Sequence, residues 1–360
     1  MPEARWLTKF RSQILRWYKT HARDLPWRAS RDPYRIWVSE IMLQQTQVAT
    51  VHDYFLRFLQ EFPTVADLAA AKEDRVLRLW EGLGYYRRSR QMHKAAQLIV
   101  ENYSGVFPQD FQLVNELPGI GRYTAGAITS IAFDDKQPIL EANTIRVHAR
   151  LLAYPDEPTK AAGQRLLWHF AELVLPKKES GRFNQALMEL GSQVCTPTNP
   201  KCSECPVMGL CPTFAGQLQA EIPKKKKRMK FEDRNEVAVV IQKKNKFLVR
   251  KCRPDERWAG LWDFPRFDLT GIANGERLSE IENKANQQTG TTIQLGDKIT
   301  TIKHGVTKYR ITLDVYRVQS VAGRLKKTDA GELCWVNAQQ LEALPLSTTG
   351  RKIERLLAQP

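Results

Sequence analysis

Residues 117–128 read Leu117-Pro118-Gly119-Ile120-Gly121-Arg122-Tyr123-Thr124-Ala125-Gly126-Ala127-Ile128. The pattern predicts a helix ending near Asn115, a turn through two glycines, and a new helix behind it. Glycine permits positive φ and leaves backbone N–H groups uncovered. With the positive end of the second helix, the amides around Gly119 and Gly121 would form a seat for an anion. A seat made of backbone grips a phosphate without reading a base. An ordinary helix–turn–helix connection is the plainer alternative.

Outward from this hairpin, apolar residues recur at helical spacing in 36–59, 66–80, 92–100, 123–132 and 143–152. Phe62-Pro63, Gly82-Leu83-Gly84 and Phe107-Pro108 punctuate the runs. Residues 1–214 therefore read as an all-α domain, with the hairpin near 111–132. Residues 215–234 hold the block Lys224-Lys225-Lys226-Lys227-Arg228 and read as a basic linker. Beyond Asn235 the pattern changes. Residues 236–241, 246–250 and 309–318 carry β-branched side chains as strands do, and one helix over 276–288 interrupts them. Residues 235–360 thus read as an α+β domain, and the chain as an α plus α/β multidomain protein.

Lys and Arg outnumber Asp and Glu by 55 to 39, a net charge of +16, which favours a polyanionic partner such as nucleic acid. There is no long apolar run for a membrane span. The first residues, MPEARWLTKFRSQILRW, read as an amphipathic helix rather than an export signal, so a cytoplasmic location and no membrane partner are expected.

Four cysteines, Cys195, Cys202, Cys205 and Cys211, stand in one loop over 195–211, spaced C-x6-C-x2-C-x5-C. One tight pair flanked by two looser thiols suits an iron–sulfur cubane, whose irons spread their ligands, better than a zinc site built from two tight pairs. Zinc remains the alternative; disulfides do not suit a reducing compartment. Cys252 and Cys334 read as free thiols.

Glu40 can be argued from its helix neighbours. Ile36, Trp37 and Leu43 flank it at i−4, i−3 and i+3, and only Gln44 is polar. A carboxyl on an apolar stripe loses hydration, which raises its pKa and keeps a proton available for general-acid work.

Leu-Pro-Gly-Ile-Gly followed by the four-cysteine loop resembles the helix-hairpin-helix DNA glycosylase superfamily that includes endonuclease III. Within it, Trp37-Val38-Ser39-Glu40-Ile41-Met42-Leu43-Gln44-Gln45-Thr46-Gln47-Val48 and Gly82-Leu83-Gly84-Tyr85-Tyr86 resemble the MutY-type adenine glycosylases, which carry a C-terminal Nudix-like domain. The resemblance implies a monomeric, monofunctional enzyme with one [4Fe-4S] cluster held by the four cysteines and no nucleotide cofactor. It would flip adenine out of double-stranded DNA where it is mispaired with 8-oxoguanine or guanine, and hydrolyse its N-glycosidic bond. Glu40 would protonate N7 of the base. Trp27, Arg28, Leu43 and Gln185 would line the adenine pocket, and Gln44 and Tyr85 would wedge into the duplex.

The second carboxylate departs from the family. Where the family has D-G-N-x-x-R, this chain has Glu141-Ala142-Asn143-Thr144-Ile145-Arg146. Glu141, with Asn143, would stabilise the oxocarbenium-like sugar, but it is one methylene longer and lacks the glycine. The expectation is a compensating backbone shift or reduced activity. Asp134 and Asp135 are candidates for a rescue role. Tyr123 occupies the position where bifunctional relatives have a Schiff-base lysine, and a phenol cannot form an imine. In the second domain Asn283-Lys284 and Gln287-Gln288 replace the glutamates of a Nudix magnesium box, so hydrolysis of nucleotides is not expected. Where the family has Phe-Ser-His at its 8-oxoguanine contact, this chain has Val306-Thr307-Lys308: Thr307 keeps a hydroxyl, the aromatic and the histidine are replaced, and a different discrimination between 8-oxoguanine and guanine is expected. Arg87, Arg88 and Arg90 are candidate phosphate contacts, as is Lys201. The rival readings are an endonuclease III-like lyase for oxidised pyrimidines and a lesion-binding protein with little catalysis.

Overall fold

The structure is a computed structural model that describes residues 2–224, 230–326 and 331–358. Residues 225–228 of the basic block lie outside these. The chain divides into two compact units, Met1–Ala70 with Gln91–Lys227, and Ala71–Arg90 with Arg228–Pro360. Residues 71–90, read above as part of the helical domain, therefore pack with the C-terminal half. Among the described residues no helix is long and apolar enough to cross a membrane.

The first unit is helical. Its elements are α1 (Ala4–His21), α2 (Pro33–Leu43), α3 (Val48–Glu61) and α4 (Val65–Ala70), followed in sequence by α5 (Glu73–Trp80) of the second unit. Then come α6 (Arg87–Tyr103), α7 (Phe111–Asn115), α8 (Arg122–Phe133), α9 (Ala142–Leu151), α10 (Ala161–Val174), α11 (Ser180–Gln193) and the short α12 (Pro212–Ala215). Phe10, Ile14 and Trp17 of α1 meet Val147 of α9, Phe170 of α10 and Phe183 and Leu187 of α11 in one core. Helix α8 is buried almost all round, from Thr124 to Ser130, as its run of small residues requires. Helix α11 comes so close to α9 that a Cβ at Gly191 would stand 2.6 Å from Asn143 Cβ. That approach sets the start of α9 beside α11.

In the second unit, β1 (Glu232–Val240) pairs parallel with β7 (Tyr309–Ala322) and antiparallel with β5 (Arg266–Asp268), while β6 (Thr292–Val306) closes the sheet on the far side of β7. A second sheet holds β2 (Gln242–Lys243), β3 (Lys246–Lys251), β4 (Trp262–Asp263) and β8 (Leu333–Val336). From Glu236 to Val240 strand β1 is buried on both faces. Val237 and Val239 face Ile281 and Ala285 of α13 (Arg277–Thr289), whereas Ala238 and Val240 share a core with Leu341 of α14 (Ala338–Ala343) and Ile353 of α15 (Thr348–Leu357). The strand's alternation thus serves two apolar layers.

Candidate active site

Helices α2, α8, α9 and α11 enclose a cleft of about 820 Å³ in the first unit. Its lining includes Trp27, Arg28, Glu40, Leu43, Gln44, Gly121, Tyr123, Glu141, Asn143 and Gln185. Residues as distant in the chain as Trp27 and Gln185 thus line one cleft.

Glu40 lies in the last two turns of α2, 6% exposed among buried neighbours. The Tyr123 hydroxyl, from the first turn of α8, donates to Glu40 Oε2 over 2.5 Å. Burial pushes the Glu40 carboxyl up to about 7; the Tyr123 hydrogen bond and Arg28 oppose that, and the charge of Glu141 adds to it. The group therefore keeps a proton available near neutral pH, as general-acid work requires.

Glu141 is the N-cap of α9. Its Oε1 accepts from the Thr144 backbone amide at 2.9 Å, its Oε2 from the Asn143 amide at 2.8 Å and the Asn143 side-chain amide at 3.2 Å. Thr144 Oγ1 accepts from the Glu141 backbone N–H, completing a capping box. The side chain folds back onto the helix terminus, with the backbone extended at φ −133°. Burial raises the carboxyl's pKa, while the two backbone hydrogen bonds and Arg146 pull it down. Asn143 is held in turn by Arg146, whose Nη2 donates to Asn143 Oδ1 at 2.8 Å.

Several of these side chains are held by partners. Arg28 lines the cleft with its Nη2 donating to Glu189 Oε2 at 2.7 Å, and Arg23 grips the same carboxylate at 2.6 Å. Burial alone would raise the pKa of Glu189, but these two guanidiniums win and hold it below the usual range. Gln185 is oriented by Tyr18, whose hydroxyl donates to its Oε1 at 2.8 Å. Trp27 is buried edge-on to Phe55, and Gln44 Nε2 reaches Thr124 Oγ1 at 3.4 Å. Sequence reasoning missed Arg23, Tyr18 and Glu189. A signal existed for the last: Glu189 is the acid one turn beyond Gln185 on an apolar helix.

In the hairpin, Gly119 has φ +79° and a Cβ there would meet Gln91 Cβ at 2.7 Å, so the position demands glycine twice over. Gly121 caps α8 and has open space before it. Asp134 is a structural residue: its carboxylate accepts from the amides of Glu179 and Gly181 at the start of α11, which removes it as a rescue candidate. Lys201 lies 3.7 Å from Glu204.

Tyr85 belongs to the second unit, where it is 53% exposed with φ +47°. Arg88 is half-buried, donates to the carbonyls of Leu83 and Gly84, and lies over the Trp80 ring, so it braces this turn rather than awaiting a phosphate. Thr307 sits at the tip of the β6–β7 hairpin with φ +52°, and its hydroxyl donates to Val306 O.

The four loop cysteines are free thiols, and Cys195, Cys205 and Cys211 pack on the α1–α9–α11 core. Arg150 Nη1 donates to Cys195 Sγ at 3.3 Å, and Arg146 Nε to Cys195 O at 2.6 Å. Burial and the three neighbouring thiols push Cys205 up to about 12, so thiolates here need a metal centre to neutralise them. Among the described residues no three Cys, His, Asp or Glu side chains converge as one ion requires; a cluster spreads its thiolates over several irons. The loop fits that donor set.

Family models agree with this architecture. The model for HhH-GPD superfamily base excision DNA repair proteins matches residues 38–172, that for the iron–sulfur binding domain of endonuclease III matches 195–211, and that for the NUDIX domain matches 236–355. The adenine DNA glycosylase of Buchnera aphidicola subsp. Baizongia pistaciae is 32% identical over 96% of this chain and 95% of its own length. This chain belongs to the adenine DNA glycosylase family. The mouse adenine DNA glycosylase is 46% identical over 59% of this chain, a match that spans 44% of the mouse protein. Among solved structures, a thermostable thymine-DNA glycosylase is 29% identical with a TM-score of 0.54, covering 59% of this chain and 98% of that one. In this chain a helical glycosylase fold with an iron–sulfur loop is thus joined to a Nudix-like domain.

Proposed function

We propose that the protein is a monofunctional glycosylase that removes adenine mispaired with 8-oxoguanine, or with guanine, from double-stranded DNA. One observation carries the reading: a buried carboxyl with its pKa raised to about 7 shares with a second carboxyl, Glu141, the lining of a cleft whose volume would hold a purine. Glu40 gives its proton to N7 of the flipped base, and the C1′–N9 bond breaks with its electron pair leaving on adenine. Positive charge then develops on the sugar, where Glu141, steadied by Asn143 and the α9 terminus, supplies opposite charge. Water attacks C1′, and its proton returns to the Glu40 carboxylate. Tyr123 offers no amine, so no Schiff base forms and the strand stays intact. Tyr85 and Gln44 fill the space left in the stack.

Cys195, Cys202, Cys205 and Cys211 would hold one [4Fe-4S] cluster, which when bound cross-links the loop beside the start of α12. The protein would act as a monomer, with Thr307 beside the 8-oxoguanine. The test is single-turnover cleavage of a duplex with adenine opposite 8-oxoguanine, split between hot-alkali and neutral quench. Breaks only after alkali are expected. Breaks under neutral quench would mean a lyase, and none under either would leave a lesion binder.

A further inference from the structure

The turn that carries Tyr85 holds three residues with positive φ. Gly82, Gly84 and Tyr85 take left-handed φ values of +101°, +72° and +47° within four residues. For tyrosine that conformation is strained, and strain persists only where surrounding contacts over-determine it. The bracing is visible: Trp80 Nε1 donates to Gly84 O at 3.2 Å, the Gly82 amide donates to the Tyr86 hydroxyl at 3.2 Å, and Arg88 holds the carbonyls of Leu83 and Gly84. The result is a rigid pedestal under an exposed ring.

The pedestal is anchored from the C-terminal half of the chain. Glu81, the residue between α5 and the turn, receives Arg351 Nε at 2.6 Å and Nη2 at 3.1 Å, with both side chains under 10% exposed. The Leu346 amide and Arg78 Nη1 add a third and a fourth donor, each at 3.3 Å. Arg351 is itself fixed, since Nη2 also donates to the carbonyls of Glu342 and Leu344. At the other end of α5, Asp74 accepts from Lys251 Nζ at 2.8 Å and from Trp262 Nε1 at 3.3 Å. Gly260 passes close enough that a Cβ there would stand 3.3 Å from Leu77 Cδ1 and 3.4 Å from Glu73 Oε1. Two ion pairs, one almost fully buried, therefore tie both ends of α5 to a domain that begins about 150 residues later in the chain.

A bidentate Arg–carboxylate pair with further donors fixes position as well as energy. We propose that Arg351, acting through Glu81, is a positioning residue for the Tyr85 turn, so that the C-terminal domain sets the wedge that opens the duplex. The inference rests on the wedge role of Tyr85 proposed above. It assigns the C-terminal domain a part in opening the helix, apart from any recognition of the opposite base.

The test uses the full-length holoprotein and a duplex with 2-aminopurine next to the target adenine, whose fluorescence rises when the stack opens. Four proteins are compared with the parent: Tyr85→Ala, Arg351→Met, Glu81→Gln and the Tyr85→Ala/Arg351→Met double variant. Tyr85→Ala should lose the fluorescence rise and slow single-turnover excision about tenfold, the scale of one lost aromatic–base stack. Arg351→Met and Glu81→Gln should lose part of both. The double variant should match Tyr85→Ala alone, because Arg351 has nothing left to position. A fluorescence rise at the parent level in both clamp variants overturns the proposal, and so does a double variant whose losses multiply. If Arg351→Met fails to fold, Glu81→Gln, which keeps the shape of the side chain but removes its charge and turns one accepting oxygen into a donor, decides by the same readouts in its own cycle with Tyr85→Ala. A Tyr85→Ala protein that opens DNA like the parent overturns the wedge reading itself, a result distinct from failure of the clamp.

Discussion

The buried carboxylates of the two units are kept for opposite purposes. In the first unit Glu40 is buried against a phenol, Arg28 is already spent on Glu189, and the carboxyl rises to about 7. In the second, Glu81 and Glu236 are equally secluded, yet each is met by guanidinium: Arg351 for the one, Arg266 and Arg257 for the other. Asp263 is the intermediate case. Burial raises its pKa although Arg266 is 3.6 Å away, and its oxygens are used up by Ser347 and the Phe264 amide. A buried acid with a cation in reach knits elements together. One denied a cation and turned to a cleft is left able to move a proton. Glu189 shows both in one place, a paired acid lining the same cleft as the unpaired one.

The largest effect should come from removing the unpaired acid. Glu40→Gln should lower single-turnover excision on the order of 10² to 10⁴-fold, the usual range for a general acid, while duplex affinity stays near the parent value. Loss of both would remove Glu40 from the chemistry. Glu189→Gln, by contrast, leaves two guanidiniums without their partner. It should cost about 3 kcal/mol of stability in a melt, the scale for breaking a buried pair. A Glu189→Gln protein as stable as the parent would erase the distinction.

Glu141→Ala should lose both the sugar's counter-charge and a helix cap, with about 1 kcal/mol lower stability from the cap alone. Glu141→Asp keeps charge and capping chemistry and should melt like the parent, so its rate isolates the extra methylene.

The pH dependence sharpens the comparison further. The protonated form of Glu40 is the working one, so the excision rate should fall as pH rises through about 7. The Tyr123 hydrogen bond favours the ionised carboxylate, so Tyr123→Phe should move that limb to higher pH. A limb that stays in place would mean the phenol does not tune the acid. The sign for stability agrees: the folded protein holds the Glu40 proton above the unfolded pKa, so this group destabilises the fold increasingly as pH rises from the ordinary glutamate range towards 7. The smallest change should be Thr307→Ala. It removes a hydroxyl bonded to its neighbour's carbonyl, and should alter discrimination between 8-oxoguanine and guanine more than the excision of adenine opposite guanine.

Much of the architecture was legible in the chain. The hairpin at Gly119 and the helical first half appear where the pattern puts them, as α7–α8 and the first unit's helices, while the switch to strands comes three residues earlier than Asn235, with β1 starting at Glu232 inside the stretch read as linker. Boundaries were less legible. The run 36–59 contains no proline or glycine, yet it breaks at Gln44–Gln47, where Gln45 takes φ +60° and the cleft begins. Strand β6 escaped notice because register shifts near Leu295 and Lys298 interrupt its alternation. The α14 and α15 helices, the second of which carries Arg351, were not singled out either.

Sequence alone determined what is local or written as a spaced motif: helix or strand period, the glycine turn, four thiols in one loop, and an acid on an apolar stripe. These follow from short-range geometry, which a reader of residues can reconstruct. Only the tertiary structure decided which charges are neutralised. It took Arg28 for Glu189, Arg88 for its own turn, Asp134 for the start of α11, and the Glu141 side chain for a helix cap. It also gave residues 71–90 to the C-terminal half. Burial and pairing depend on groups distant in the chain, and the pKa of a carboxyl is set by which of them arrive beside it.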